Sequence, residues 1–378
     1  MVLRAKFESL DEQIDLARYI PKKTWKGYPI SINEIDFERL KLSYHLPQGG
    51  TKKLVIKRFV KMDNFGKLLG QLQAEGNKCK NITKKLVFTN VLVSEHKSFI
   101  NSLEQIIISK NIIKVRCFYN SQRIKQSLID DYIDKLEKET NRKVKFKAII
   151  NERITLFSQT VIERALLAEV ILGAMNYLRN KIANQFPQNL RIFSENFLSK
   201  LLSGDGSLGI TRNNYGRGRF RIFGYISDGD KLFRNDYRKI LKNFKIAVMN
   251  YDEDGRVYFK PNSLNLIFLY KIKAFYGTNN WKKLLKSIFL KNNNSSFYKK
   301  FSKLAELNYF TLYDLQRLFN ISYMGAKIWC RYQRRNDLIQ FLKEEKNIHY
   351  YSLTNKAQDF LNILNNVRKD LSYYGFSP

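Results

Sequence analysis

LLGQLQAEG, residues 68–76, and LSKLLSGDG, residues 198–206, are the two stretches that decide the fold. Each is apolar, carries small residues and ends in one acid followed by glycine. A helix with small residues on one face can approach another helix closely, because no side chain holds the two axes apart. The sequence therefore predicts a close helix pair at whose end the two acids, Glu75 and Asp205, meet.

The two acids are separated by 130 positions, so each can belong to its own repeat of small-domain size. Two carboxylates beside unpaired backbone carbonyls offer the hard oxygen ligands that Mg²⁺ needs. An acid at this place can also cap its helix or mark a turn. The pair of acids by itself leaves both interpretations open.

Both stretches resemble the motif of the LAGLIDADG homing endonuclease family. The first keeps leucine, glycine, leucine, alanine, acid and glycine in register, and its continuation AEGNK, residues 74–78, looks like an archaeal subtype. The second continues as DGSL, residues 205–208, which is similar to a continuation common in the family. The resemblance implies an α+β fold with two αββαββα repeats related by a pseudo-two-fold axis.

The resemblance also implies a metal centre. Glu75 and Asp205 would hold Mg²⁺ or Mn²⁺, each assisted by a nearby backbone carbonyl, those of Ala74 and Gly204. Divalent ions that bridge the scissile phosphates stabilise charge on the nucleophile and the leaving group, so the protein needs only to hold the carboxylates in place.

Two more residues complete the catalytic set that the resemblance implies. Lys78 would be a basic group beside the metals, and Asn90 would position water. The second repeat departs from the family pattern, because Gly224 and Tyr225 stand where a glutamine–lysine pair is expected. Lys200 also occupies the helix-crossing position at which glycine is usual. These departures concern catalysis rather than the fold.

The net charge points to a polyanionic partner. The chain of 378 residues carries a formal charge of +33 and has a pI near 9.9. Such self-repulsion is tolerated when phosphates neutralise it, which favours nucleic acid first and an acidic membrane surface second. A biased genome can explain the choice of lysine over arginine, but it explains the scarcity of acids less well.

Cysteine and histidine usage indicates a reducing compartment and no zinc or His-based nucleophilic site, because the three cysteines and three histidines are scattered. Acids within the first twenty residues argue against a targeting peptide. The most hydrophobic stretch, Val161 to Leu178, contains charged residues and is expected to be a buried helix rather than a membrane span. We expect an intracellular protein of a prokaryotic cytoplasm or nucleoid, or of an organelle matrix, not a secreted one.

The chain divides into four predicted parts. Leu86 and Phe88 alternate with Lys85, Val87 and Thr89 as in a strand with one core face, and a motif helix, a hairpin and an amphipathic helix recur in the same order in both halves. The parts are an N-terminal extension (1–60), a first repeat (61–160), a linker helix with a second repeat (161–295), and a distinct C-terminal domain (296–378).

The C-terminal domain resembles a winged helix-turn-helix. Thr311 with Asp314 forms a capping-box pattern at one helix, and a second helix with clustered cations starts near Tyr323. We expect Met324, Ile328 and Leu338 to face inward. A small helical tail with a solvated basic face is the alternative.

Together these features predict a monomeric, intron-type DNA endonuclease that cuts both strands of a long asymmetric target in double-stranded DNA. A non-catalytic DNA-binding regulator, or an RNA-binding maturase or ribosome-associated protein, is the alternative, and no membrane partner is expected. The predicted DNA contacts are basic residues of both sheets and of the cation-rich helix that starts near Tyr323, which would be the recognition helix of the winged helix-turn-helix. They are Lys80, Lys84, Lys85, Arg212, Arg217, Arg219, Arg221, Lys327, Arg331, Arg334 and Arg335.

Overall fold

The structure is a computed structural model that describes residues 12–24, 26–76, 85–149, 155–212, 220–249, 254–293 and 296–374. Its fold class is α+β, as predicted from the sequence. The chain forms two compact units: one contains the described residues of Met1–Gly206 and Ile226–Val257, the other those of Ser207–Tyr225 and Tyr258–Pro378. The four-part division of the sequence stays a prediction.

The N-terminal region is built of short antiparallel strands: β1 Gln13–Asp15, β2 Ser31–Asp36, β3 Arg39–His45, β4 Thr51–Lys57 and β5 Phe59–Lys61. Strands β2, β3 and β4 form a meander, and β1 pairs with β5. Ile56 of β4 forms an antiparallel bridge with Ile107, so this region packs directly on the chain that follows.

The first motif helix opens a mixed sheet. The elements are α1 Met62–Glu75, β6 Leu86–Asn90, α2 Val93–Leu103, β7 Ile113–Tyr119, α3 Gln126–Thr140, β8 Val144–Ala148, β9 Leu156–Ile162 and α4 Ala165–Asn184. The strand order is β6-β9-β7-β8, and β7 and β8 run parallel because helix α3 carries the chain back between them. Leu86 and Phe88 are buried, which confirms the predicted alternation. The stretch expected to be one buried helix from Val161 is instead the end of β9 followed by α4.

The second motif helix is followed by a simpler series of described elements than the first motif helix. They are α5 Arg191–Gly204, β10 Gly206–Arg212, β11 Phe220–Ser227, α6 Lys231–Asn243, β12 Ala247–Val248, β13 Arg256–Lys260 and α7 Ser263–Lys271, with strand order β10-β11-β13-β12. In the first sheet β6-β9-β7 repeats the order β11-β13-β12, and β8 is added at the edge. The two sheets thus share the order of three strands, and α3 and β8 are additional elements of the first sheet that the sequence pattern did not predict.

The C-terminal elements are α8 Asn279–Asn293, α9 Ser296–Ala305, α10 Leu312–Phe319, α11 Tyr323–Arg335, β14 Ile339–Glu345, β15 Ile348–Leu353 and α12 Asn355–Tyr373. Short 3₁₀ turns at Leu16–Tyr19, Lys110–Ile112 and Gln188–Leu190 complete the described structure. The Thr311–Asp314 capping box is present, and Asn320 ends α10 in the left-handed conformation with φ 50°. None of the helices that the structure describes is long and apolar enough to traverse a lipid bilayer.

One expectation about α11 is wrong. Met324 and Ile328 are 62% and 64% exposed, whereas the buried positions are Ala326, Cys330 and Gln333. Positions 326, 330 and 333 follow the i, i+4, i+7 spacing of one helix face. By the same spacing Met324 and Ile328 share their stripe with the cations of α11, so the outer face is mixed rather than purely basic.

Candidate functional site

Helices α1 and α5 cross in backbone contact, and glycines make this possible. A Cβ on Gly66 would lie 2.5 Å from the carbonyl oxygen of Phe193, and one on Gly70 would lie 2.5 Å from that of Phe197. No side chain fits at such distances, because a backbone carbonyl cannot rotate away. The predicted close helix pair is confirmed.

The contacts across this helix pair join positions that correspond to each other in the two motifs. A Cβ on Gly66 would lie next to Asn196 Cβ, and one on Gly70 would lie next to Lys200 Cβ. A Cβ on Gly204 would likewise lie next to Ala74 Cβ. Each pair is separated by the same 130 positions as the two motif acids. Contacts in which a position meets its own counterpart are typical of a two-fold interface, and these three contacts between α1 and α5 have that pattern.

The carboxylate of Glu75 lies at the end of this crossing. A Cβ on Gly204 would be 3.3 Å from Glu75 Oε1 and 3.1 Å from Glu75 Cγ. Asp205 directly follows Gly204 as the C-cap of α5, and both acids are half-buried. The two acids that the sequence singled out are thus placed at adjoining helix ends, where Gly204 contacts Ala74 and Glu75.

The glycine after each acid fixes how the chain leaves the helix. A Cβ on Gly76 would lie 2.5 Å from the carbonyl oxygen of Leu72, and Gly206 has the same relation to Leu202. Gly76 then bridges Phe88 in antiparallel fashion, while Gly206 begins β10. Both acids therefore lie at the point where a helix passes into extended chain, Glu75 as the last residue of α1 and Asp205 as the C-cap of α5.

Lys200, which occupies the usual glycine position, is accommodated by pairing. Its ammonium donates to both carboxylate oxygens of Glu95, at 2.7 and 2.9 Å, and Gln71 Nε2 donates to Glu95 Oε2 at 2.7 Å. The Lys200 and Glu95 side chains are only 17% and 15% exposed. At the contact between positions 70 and 200 the clearance therefore comes from Gly70, and the Lys200 side chain extends away from the crossing toward α2.

A buried polar network, which sequence reasoning missed, supports α1 near the acids. Arg179 is 6% exposed; its Nε donates to Asp236 Oδ2 at 2.9 Å and its Nη1 donates to Gln73 Oε1 at 2.8 Å. The guanidinium also lies 4.0 Å above the ring centre of Phe233. This arginine joins α4, α6 and α1 two residues before Glu75. Its signal in the sequence was an arginine that falls on the apolar face of helix α4.

A second network lies close to Asp205. The buried Tyr237 donates its hydroxyl to Asp228 Oδ2 at 2.8 Å. Burial, and next the charge of Asp228, raises the pKa of Tyr237 well above its ordinary value, and the charge of Asp205 adds to this. The phenol therefore stays protonated and acts as a hydrogen-bond donor. The backbone carbonyl of Asp205 accepts from the amide of Ser227 at 3.0 Å, which ties the end of α5 to β11.

Asn90, predicted to position water, has structural contacts. Its Oδ1 accepts from the Leu92 amide at 2.8 Å, and its carbonyl oxygen lies 3.1 Å from both His96 Nε2 and Ser158 Oγ. His96 Nδ1 lies 2.8 Å from Thr160 Oγ1, and burial lowers the pKa of this imidazole. The His96 ring therefore belongs to a neutral, buried hydrogen-bonded cluster.

The remaining predicted site residues are only partly placed. Lys85 precedes β6 and Arg221 lies on β11, and both are exposed, while Arg212 ends β10. The four cations of α11 are exposed: Lys327, Arg331, Arg334 and Arg335. Five predicted residues lie outside the described residues: Lys78, Lys80, Lys84, Arg217 and Arg219.

Comparison with known proteins does not assign the chain to a family. The sequence matches no protein-family model and no curated protein. Among solved structures, the chain is similar to one titled "Crystal structure of the N-terminal LAGLIDADG domain of DUF199/WhiA", with 15% identity over 58% of this chain and 86% of that chain and a TM-score of 0.31. At this TM-score the similarity assigns neither a fold family nor a function.

Proposed function

We propose that the protein is a nucleic-acid-binding protein of LAGLIDADG type that cuts both strands of DNA in a Mg²⁺- or Mn²⁺-dependent reaction. The observation that carries this proposal is the position of the Glu75 carboxylate against Gly204, the residue that directly precedes Asp205, at the paired helix ends. Carboxylates at the ends of two paired helices can serve as ligands of one divalent cation.

The donor atoms available there fit a divalent hard cation. Mg²⁺ is usually held by one or two carboxylates together with substrate phosphates, rather than by a cage made wholly of protein groups. Glu75 and Asp205 supply the carboxylates, and the carbonyls of Ala74 and Gly204 supply further oxygens. In the part of the chain that the structure describes, no group of three or more His, Cys, Asp or Glu side chains is arranged around a metal position.

The residues of the chain have a positioning role in this proposal. When bound, the metal supplies charge stabilisation for the scissile phosphate, its nucleophile and its leaving group. The glycine crossing at Gly66 and Gly70 holds the two helix ends at a fixed separation, and the Arg179 network fixes α1 just before Glu75. A pair held this rigidly needs little reorganisation when DNA binds.

Charge and symmetry favour DNA as the substrate. The formal charge of +33 suits a phosphate backbone, and the exposed cations of α11 share a face with Met324 and Ile328, which can contact base edges. The two halves differ in sequence, since Gly70 meets Lys200 rather than a second glycine. A single chain of this kind can act as a monomer on an asymmetric target.

The second candidate is a DNA-binding regulator without nuclease activity, or an RNA-binding maturase or ribosome-associated protein. One observation favours it. The side-chain oxygen of Asn90, which should position water, already accepts from the Leu92 amide. The basic surface would then serve binding alone.

The test is cleavage of a DNA site selected from a random duplex pool, with binding measured separately by fluorescence anisotropy. Glu75→Gln and Asp205→Asn should each abolish Mg²⁺-dependent double-strand cleavage and leave affinity nearly unchanged. Asp131→Asn, at an exposed acid on α3, is the matched control and should cleave normally. Equal loss of binding and cleavage would make the acids structural, binding without any cleavage would favour the regulator, and stronger competition by structured RNA would favour the RNA-binding alternative.

A further inference from the structure

A pocket of about 340 Å³ lies between the end of α7, the start of α8 and the end of α12. Five aromatic residues dominate its lining: Tyr270, Tyr276, Trp281, Tyr373 and Tyr374. Its size is within the range of pockets that hold small organic groups. None of its residues belongs to the acidic motif or to the basic face of α11.

The aromatic rings of the pocket comprise a buried ring at its base and exposed rings at its sides. Tyr270 and Trp281 stack with ring centres 5.2 Å apart and planes 16° apart, and Tyr276 stands edge-on to Trp281 at 5.2 Å. Trp281 is 7% exposed, whereas Tyr276 and Tyr373 are 57% and 87% exposed. Open aromatic faces beside a buried aromatic floor can receive another flat ring by stacking.

The turn that presents Tyr276 is held in an unusual backbone conformation. Lys273, Phe275 and Gly277 have φ values of 55°, 66° and 79°, and two of these three residues carry side chains. Such left-handed residues are costly, and they concentrate where a binding site must be held in shape. The fully buried Phe275 anchors the turn, so Tyr276 is held at the pocket rather than free to move with a loop.

The polar groups around the rings are of two kinds. Asp370 Oδ2 accepts from the Tyr270 hydroxyl at 3.2 Å, while Asp370 Oδ1 has no hydrogen-bond partner within the described ranges. Burial, and next the charge of Asp370, raises the pKa of Tyr270 to about 12, so this hydroxyl remains a donor. Lys273 Nζ lies 5.9 Å from the ring centre of Tyr276, and Lys282 Nζ lies 4.7 Å from that of Tyr374. The rim is therefore cationic.

We propose that this pocket binds one unpaired nucleobase of a nucleic acid, stacked on Tyr276 and edge-on to Trp281, with its flanking phosphates on Lys273 and Lys282. An aromatic pocket with a carboxylate would also suit an organic ammonium ion, but the lysines on its rim repel a cation and attract phosphate. Asp370 Oδ1 can accept a hydrogen bond from an amino or imino group on the base edge. The inference rests on the nucleic-acid binding of the proposed function but not on its nuclease activity.

The test compares a fully paired duplex with the same duplex carrying one extrahelical 2-aminopurine. The full-length protein should bind the bulged duplex about 5- to 100-fold more tightly, the range for one base stacked on aromatic rings, and should quench the 2-aminopurine fluorescence. Tyr276→Ala should lose both the preference and the quenching. Tyr276→Phe keeps the ring and should retain both, and so should Tyr177→Ala, at an exposed tyrosine of α4.

The outcomes separate this pocket from the proposed function. Paired-duplex affinity should be the same in every variant; if it is present but Tyr276→Ala keeps the preference for the bulge, the pocket assignment is wrong. Displacement of the bulge by tetramethylammonium would also overturn it, in favour of a cation site. Loss of all duplex affinity in the unmodified protein would instead refute the proposed function. The same bulge in RNA distinguishes the source of the base, since tighter binding there assigns the pocket to RNA and weaker binding to DNA.

Discussion

Gly70→Ala tests whether the glycine crossing holds the two motif helices together. The added Cβ would lie 2.5 Å from Phe197 O and 2.9 Å from Lys200 Cβ. The nearer atom is backbone and cannot turn aside. Relief to an ordinary contact of 3.4 Å requires α1 and α5 to separate by about 0.9 Å at this point.

The expected cost follows from that separation. A gap of about 0.5–1 Å forfeits a quarter to a half of the dispersion energy of the atoms concerned. Overpacking of a rigid contact costs up to about 3 kcal/mol, and the better helix propensity of alanine returns about 1 kcal/mol. Gly70→Ala should therefore lower the free energy of unfolding by about 2 kcal/mol. If the acids form the proposed metal centre, a shift of about 1 Å should also lower the cleavage rate by about 100-fold.

Gly173→Ala provides the matched control. Gly173 is also a helix-interior glycine, but a Cβ there would meet only Tyr19 O, at 3.6 Å. This variant should be more stable by about 0.5–1 kcal/mol. Urea unfolding followed by circular dichroism measures both changes. Equal stability of the two variants would show that the crossing does not depend on glycine.

Two further predictions concern buried groups away from the crossing. Arg179→Met leaves Asp236 without its buried cation and should cost about 3–5 kcal/mol in urea unfolding, and adding Asp236→Leu should recover most of that loss. Burial raises the pKa of Cys117 and of Cys330 from 9.0 to about 11, so iodoacetamide at about pH 8 should label neither in the folded protein and both in urea. Because burial favours the neutral thiol, the stability that these groups contribute is full below pH 9 and is lost as the pH rises toward 11, which a fall of the urea midpoint over that window would show.

The sequence predicted the helix pair well because the constraint is local and severe. Only glycine tolerates a carbonyl at 2.5 Å, so Gly70 and the glycines after the acids stand out in a single sequence. The Thr311–Asp314 capping box was equally readable, since both partners lie within one helical turn.

Other features depend on contacts distant in sequence and could not be predicted in this way. Lys200 departed from the motif, and its partner Glu95 is 105 positions away. The residues at the ends of α11 do not indicate which face of the helix is buried. The sequence therefore predicts that Met324 and Ile328 face inward, whereas Ala326 and Cys330 face the core. The inserted α3 and β8 have ordinary amphipathic patterns, which cannot show that they interrupt a repeat.

Gly70 meets Lys200 at the crossing, not a second glycine. This difference also restricts which helices can pair. Two copies of α5 placed face to face would bring Lys200 against Lys200, where the contact with Gly70 leaves only enough room for one side chain. Two ammonium groups would then share a site that now has a single carboxylate, Glu95. A pair formed by two α5 helices is therefore disfavoured relative to the pair that α5 forms with α1.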